Sequence, residues 1–261
     1  MLTPYPASPF PAQPTVIVTG AASERGIGRA TAHRLARQGW AVTVLDLDQA
    51  ATDKVAAEIH AQYDVPTLGI GLDVRDQAQV QLAVDRIVEE MPQLVGLVNN
   101  AGVSSPVPFL EVTTAEWDRV VDINLRGTFL VSQAAARVMA GHRLGRIVNI
   151  ASTSAQRGGA VYSLAAYSAS KAGVIGLAKT LARELGGYGI TANCVSPGSI
   201  DTDIMGGRLD DAKKQSMLTD LPVGRVGTVE DVANVISFLL APAAGYLTGV
   251  TYDVNGGSHI A

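Results

Sequence analysis

Thr15-Val16-Ile17-Val18-Thr19-Gly20-Ala21-Ala22-Ser23-Glu24-Arg25-Gly26-Ile27-Gly28 decides how this chain folds. The first five residues are all β-branched and carry no charge, as a strand buried on both faces requires. The periodicity after the glycines predicts a helix over about 26–38, stopped by Gly39, with Gly28, Ala32 and Ala36 on one small-residue face that can lie close on a sheet. Strand, glycine-rich turn and helix start collect unpaired N–H groups and a positive dipole end at one point, which suits a pyrophosphate. The next strand-like run, residues 41–45, ends in Asp46, whose carboxylate would accept hydrogen bonds from adenosine ribose hydroxyls. A lone Asp at a strand end is often a helix cap or a solvated charge; here it completes a dinucleotide-binding unit.

Strand-like and helical runs alternate through the rest of the chain. Helices are expected over about 49–62, 76–91, 114–140, 164–186 and 228–240, and strands over about 66–72, 94–98, 146–151, 190–195 and 249–254. No composition break divides them. The fold class is therefore α/β: a single-domain Rossmann fold, a seven-stranded doubly wound parallel sheet with helices on both faces. Residues 15–261 form that domain. Residues 1–14 hold five prolines and read as an extended tail, without the basic start and apolar core of a signal peptide.

Bulk composition narrows the partners. A net charge of −4 without a basic block argues against nucleic acid or an anionic membrane surface. No apolar run approaches the ~18 residues that span a bilayer. Cys194, the single cysteine, lies in an apolar run and reads as a small core residue, which suits a cytoplasmic protein. The four histidines are scattered without ligand spacing, so no metal is expected.

The second informative stretch is residues 152–171. It follows a β-branched strand and enters a small-residue helix on which Tyr167 and Lys171 lie one turn apart on one face. An ammonium beside a phenol favours the phenolate, so the pair can serve as a proton-transfer group. Alone, Tyr-x-x-x-Lys at this spacing is an ordinary surface pair.

Taken together these residues resemble the short-chain dehydrogenase/reductase family, in its single-domain branch of about 250 residues. Thr19-Gly20…Gly26-Ile27-Gly28 resembles its cofactor turn, where Ser23 and Arg25 would also meet the cofactor. Asp73 and Val74 resemble the third-strand end that meets adenine. Asn99-Asn100-Ala101-Gly102 resembles the fourth-strand motif beside the adenine ribose. Asn124 resembles the Asn that distorts a helix and holds a relay water. Tyr167 and Lys171 match the catalytic pair. Pro197-Gly198-Ser199-Ile200-Asp201-Thr202 resembles the motif whose Ile200 backbone and Thr202 hydroxyl hold the nicotinamide carboxamide. Residues 203–222 resemble the lid over the substrate.

Two features depart from the family pattern. Five residues separate Gly20 from Gly26 where three are usual, so Ser23-Glu24-Arg25 should bulge at the phosphates. The serine-to-tyrosine spacing is also longer. Counting back the usual interval reaches Ser154, whereas the strand end gives Ser152; a strand end is fixed by the sheet, which favours Ser152.

The resemblance implies hydride transfer between a nicotinamide and a secondary alcohol or ketone. Tyr167 would be the acid/base, Ser152 the oxyanion donor, Lys171 the ribose ligand and tyrosine activator, and Asn124 the water holder. Asp46 favours NAD: a 2′-phosphate about 4 Å from it would suffer repulsion of roughly 4 kcal/mol per charge pair at an effective dielectric of 20. Arg25 is the opposing hint toward NADP. The expected substrate is a small polar molecule such as a sugar or polyol, met by Ser154, Arg157, Val161 and Met205. The alternatives are a 3-oxoacyl-(acyl-carrier-protein) reductase, an enzyme that usually uses NADP and often carries a basic docking residue where this chain has Tyr188, and a non-catalytic dinucleotide sensor. Relatives are mostly homotetramers.

Overall fold

The computed structural model describes residues 10–159, 163–205, 207 and 209–260. The strands are β1 (Thr15–Thr19), β2 (Ala41–Asp46), β3 (Thr67–Gly71), β4 (Leu94–Asn99), β5 (Gly145–Ile150), β6 (Ile190–Pro197) and β7 (Thr251–Val254). The helices are α1 (Ile27–Arg37), α2 (Gln49–Tyr63), α3 (Gln77–Glu90), α4 (Thr114–Val121), α5 (Gly127–His142), α6 (Ser154–Arg157), α7 (Ala165–Leu185), α8 (Asp211–Met217) and α9 (Val229–Leu240).

The strands form one parallel sheet in the order β3-β2-β1-β4-β5-β6-β7. Period-two alternation sorts its side chains. Val16, Val18, Val42 and Val44 pack with Leu35 of α1, Ile59 of α2 and Ile236 of α9. Ile17, Leu45, Leu97 and Ile147 face the other way onto Val84 of α3, Val131 of α5 and Ala182 of α7. Both faces are covered, which is why strands read as continuous apolar runs.

Strand order reverses between β1 and β4, so the helices that follow them leave on opposite faces and a crevice opens at the carboxyl ends. The two strand ends are fastened there. Thr19 Oγ1 accepts from the N–H groups of Asn100 (3.0 Å) and Ala101 (2.9 Å). Asn100 Nδ2 in turn donates to the carbonyls of Thr19 (3.0 Å) and Gly20 (2.8 Å).

Two departures from the periodicity have a local cause. The expected single helix over 114–140 is two helices separated by a π-turn, Asp122–Arg126. The cause is Asn124: fully buried, it bonds Val103 and receives the Thr128 hydroxyl on its own carbonyl (2.7 Å). The last strand starts at Thr251 rather than 249, because Gly249 takes a positive φ of 76°.

Ahead of the sheet, the Pro14 carbonyl accepts from Ala41 N–H, and Phe10 packs edge-on against Trp40 under the Arg146 guanidinium. Residues 1–9 of the expected tail lie outside the described residues.

Candidate active site

A cleft of about 820 Å³ opens at the carboxyl ends of the strands. Its first wall is the β1–α1 turn. Gly20 has φ +64°, and a Cβ there would stand 2.7 Å from Ala101 Cα, so only glycine lets the turn pass this close to β4. Gly26 N–H closes the inserted loop by donating to the Ser23 carbonyl (3.1 Å). Gly20, Ser23, Gly26 and Ile27 all line the cleft.

Asp46, at the end of β2, does more than face the cleft. Its Oδ2 accepts from Ala22 N–H (2.9 Å) and its Oδ1 from Leu47 N–H (2.8 Å). The same carboxylate therefore sets the shape of the glycine-rich turn. Asp73 and Val74 line the neighbouring strand end, where Asp73 is bound by Arg75, which holds its carboxyl below the ordinary range. Arg75 also lines the cleft and carries no sequence signal of its own. Asn100, Ala101 and Gly102 form the floor.

The opposite wall carries the polar chemistry. Ser152 follows β5 and is buried; its Oγ accepts from Ser154 N–H (3.1 Å), which begins the one-turn helix α6. Both serines reach the cleft. Tyr167 and Lys171 lie on α7, both buried and both in the cleft wall, with the ammonium 5.8 Å from the centre of the phenol ring. Lys171 Nζ donates to the Ile150 carbonyl (2.7 Å). Burial pushes the Lys171 ammonium down to about 8 and the Tyr167 phenol up, with Ser152 pulling the phenol partly back. The spacing rule places the two groups together as expected. Burial sets the direction of the phenol's shift, opposite to the depression expected from the ammonium.

Asn124 sits behind this wall. Its Oδ1 accepts from Val103 N–H (2.9 Å), and its Nδ2 donates to the Val103 carbonyl (3.0 Å) and to Ser170 Oγ (3.0 Å). Ser170 Oγ in turn donates to the Tyr167 carbonyl (2.7 Å). The amide is thus committed to fixing the helix that carries Tyr167.

Pro197 ends β6, Gly198, Ile200 and Thr202 follow it along the rim, and Ile200 and Thr202 are buried. Over them lies the segment containing the turn Asp203–Met205, helix α8 and the turn Leu218–Asp220. Lys213, Ser216, Met217 and Asp220 face the cleft from it.

Arg157, an expected substrate contact, and its neighbour Gln156 are otherwise engaged. Arg157 pairs with Asp220 (2.6 Å) and bonds the Ser258 carbonyl, and Gln156 accepts from Ser196 (2.7 Å). Val161 lies outside the described residues; Met205 ends its turn, with its side chain outside the described set. The Arg25 guanidinium is paired with Asp201 and Asp203. None of these partners was legible locally, since the pairs are separated by 40 to 178 residues in sequence.

Among the described residues no group of three or more His, Cys, Asp or Glu side chains could hold a metal, and no helix is long and apolar enough to cross a membrane. Cys194 is buried beside Val174, its thiol pushed up to about 12 by burial.

The cradle fits a dinucleotide: a turn that only glycines allow, a carboxylate at the β2 end, and buried proton donors across the cleft. Comparisons with known proteins agree. A family model described as enoyl-(acyl carrier protein) reductase matches residues 20–259. The chain is 40% identical over 243 residues to an uncharacterized short-chain type dehydrogenase/reductase, y4mP, of Sinorhizobium fredii, covering 93% of this chain and 96% of the relative. It is 39% identical over 241 residues to the 3-oxoacyl-(acyl-carrier-protein) reductase FabG of Aquifex aeolicus, covering 92% and 95%. With FabG of Escherichia coli K12 the identity is 37% over 244 residues, covering 94% and 96%. Fold, cleft and relatives make this chain a member of the short-chain dehydrogenase/reductase family, an oxidoreductase that works on CH–OH groups with a nicotinamide cofactor.

Proposed function

We propose that the protein is an NAD-dependent dehydrogenase that interconverts a secondary alcohol and its ketone. The observation that carries this reading is the convergence of Ser152, Tyr167 and Lys171 in one wall of the cleft that the glycine-rich turn opens. When bound, the nicotinamide accepts or returns the hydride; the chain supplies position and protons. Tyr167 takes the proton from the substrate hydroxyl in oxidation and gives it back in reduction. Ser152 donates to the substrate oxygen as charge develops there. Lys171 holds the nicotinamide ribose, and Asn124 positions the tyrosine helix through Ser170.

NAD is favoured over NADP by Asp46. Its carboxylate faces the cleft, and the cation that could have answered a 2′-phosphate from the turn, Arg25, is taken by two aspartates. Asp46→Ala is expected to raise the ratio of NADP to NAD efficiency by up to about a thousandfold, in line with removing roughly 4 kcal/mol of repulsion. Absolute NAD efficiency should fall too, since Ala22 N–H loses its acceptor. Steady-state rates with both cofactors read this; an unchanged ratio removes Asp46 as the selector.

The substrate side has two supports. Ser152, Ser154, Ser163, Lys213 and Ser216 face the cleft and suit a small polar alcohol such as a sugar or polyol. The FabG relatives favour a 3-oxoacyl thioester instead. Screening sugars, polyols and 3-hydroxyacyl esters for NAD reduction separates them. Binding of NADH with no turnover on any of these would favour a dinucleotide sensor.

A homotetramer fits the exposed apolar side chains Phe109, Leu110, Trp117 and Phe129 around α4 and α5, and Phe238, Tyr246 and Val250 near the edge strand β7. Sedimentation velocity tests it. A lone buried thiol suits the reducing cytoplasm. Residues 203–222 act as the substrate lid.

A further inference from the structure

The inserted residues of the glycine-rich turn do not bulge freely. Ser23 Oγ donates to Asp203 Oδ2 (3.0 Å), and the Arg25 backbone N–H donates to the same oxygen (3.3 Å). The Arg25 guanidinium pairs with Asp201 and lies 3.5 Å from the other oxygen of Asp203. Asp201 is also held by Lys214 of α8 (2.7 Å) and accepts from Leu209 N–H (3.3 Å). Ser23 and Asp203 both line the cleft, so their bond ties the glycine-rich turn to the segment that follows β6. Asp201 lies between Ile200 and Thr202, the two residues assigned to the carboxamide end of the dinucleotide.

We propose that Ser23-Glu24-Arg25 is a clasp that closes the cleft over the bound dinucleotide, with Arg25 as its positioning residue. It joins the turn that holds the pyrophosphate to the rim that holds the nicotinamide, and through Lys214 it reaches the lid. This rests on the dinucleotide reading above.

The physical case lies in the number of groups and their setting. An isolated exposed ion pair contributes little. Here a guanidinium, a backbone N–H and a hydroxyl from one short loop meet two carboxylates, and the Arg25 and Asp201 side chains are only 31% and 21% exposed. Charge-assisted bonds of this kind are the strong ones. Arg25 also neutralises two carboxylates beside the place where an anionic pyrophosphate must sit. A dinucleotide can leave only after the bridge between turn and rim opens, so the clasp lengthens residence.

Stopped-flow NADH fluorescence tests this without any alcohol substrate. Arg25→Ala and Asp203→Asn are each expected to raise the NADH dissociation rate roughly tenfold. In the double variant the rate should rise by less than the product of the two single effects, because the Arg25–Asp203 contact is counted in both and the remaining bonds serve one closure. Wild-type dissociation should speed up between about 0.05 and about 0.5 M salt, and the double variant should lose that dependence. Arg25→Lys should fall between wild type and Arg25→Ala. Unchanged dissociation in both single variants, or rates that multiply in the double variant, overturns the clasp alone. Failure of the wild type to bind NADH overturns the dinucleotide reading and the clasp with it.

Discussion

Tyr167→Phe is expected to lower turnover at least about a thousandfold while leaving NADH affinity within about threefold of wild type. General acid–base catalysis is worth about 10² to 10⁴ in rate, and here the phenol is also the neighbour of Ser152 in the wall of the cleft. The ring itself stays, so packing against Val120 and Ala166 is kept. The pH dependence gives a second readout. Burial holds the phenol above its ordinary range, so at neutral pH it is protonated: ready to donate in ketone reduction, and a small phenolate fraction in alcohol oxidation. Each unit of rising pH below the phenol's own value multiplies that fraction by ten. Oxidation by the wild type should therefore climb with pH from about 6 to about 8, whereas the Phe variant shows residual activity without that slope. Above about 8 the free protein loses the Lys171 ammonium as well, which ends the support it gives the phenolate. Retained turnover above a few per cent, or an unchanged slope, would remove Tyr167 from the reaction.

Gly28→Ala is expected to abolish NADH binding over at least a hundredfold range and to lower the melting temperature by about 5 °C. A methyl at this position would stand 2.5 Å from the Gly20 carbonyl oxygen and 2.6 Å from Asn100 Nδ2. Neither neighbour can yield cheaply. Asn100 Nδ2 is donating to the Thr19 and Gly20 carbonyls, and the Gly20 carbonyl belongs to the turn itself. Overpacking of this kind costs about 1–3 kcal/mol, and a domain of this size loses about 2–4 °C per kcal/mol. Binding should suffer more than stability. Relieving the clash lifts α1 away from the turn, and an ångström of misplacement where the pyrophosphate sits is worth about a hundredfold. Differential scanning calorimetry and NADH titration on the same preparation check both halves. An Ala variant with wild-type affinity and melting temperature would show that α1 does not lie where the structure puts it.

The sheet was legible because each strand is a short, nearly charge-free run rich in β-branched residues, and because Gly20, Gly28 and Asp46 punctuate the first β-α-β unit in a way only close backbone approach explains. The spacing of Tyr167 and Lys171 was legible for the same local reason: four residues on a helix is a geometric statement. What local reading missed was the environment. The ammonium of Lys171 is turned to the Ile150 carbonyl, and burial, a property of the whole fold, sets the direction of the phenol's shift. The same limit applied to Gln156 and Arg157. Both face polar partners that the chain brings in from 40 and 63 residues away, Ser196 and Asp220. Arg25 shows it best: read alone it hints at a 2′-phosphate, whereas the fold supplies two carboxylates for it. The choice between Ser152 and Ser154 follows the strand end. Both line the cleft, but it is Ser152 that acts on the phenol, and it takes the Ser154 N–H on its own oxygen.

The most direct measurement is a crystal structure of the NAD⁺ complex. The adenosine ribose is expected at Asp46, the pyrophosphate at the Gly20–Gly26 turn, the carboxamide at Ile200 and Thr202, and the reactive ring carbon turned toward the hydroxyls of Ser152 and Tyr167. A nicotinamide resting away from those two hydroxyls, or a dinucleotide bound outside this cleft, would contradict the dehydrogenase reading.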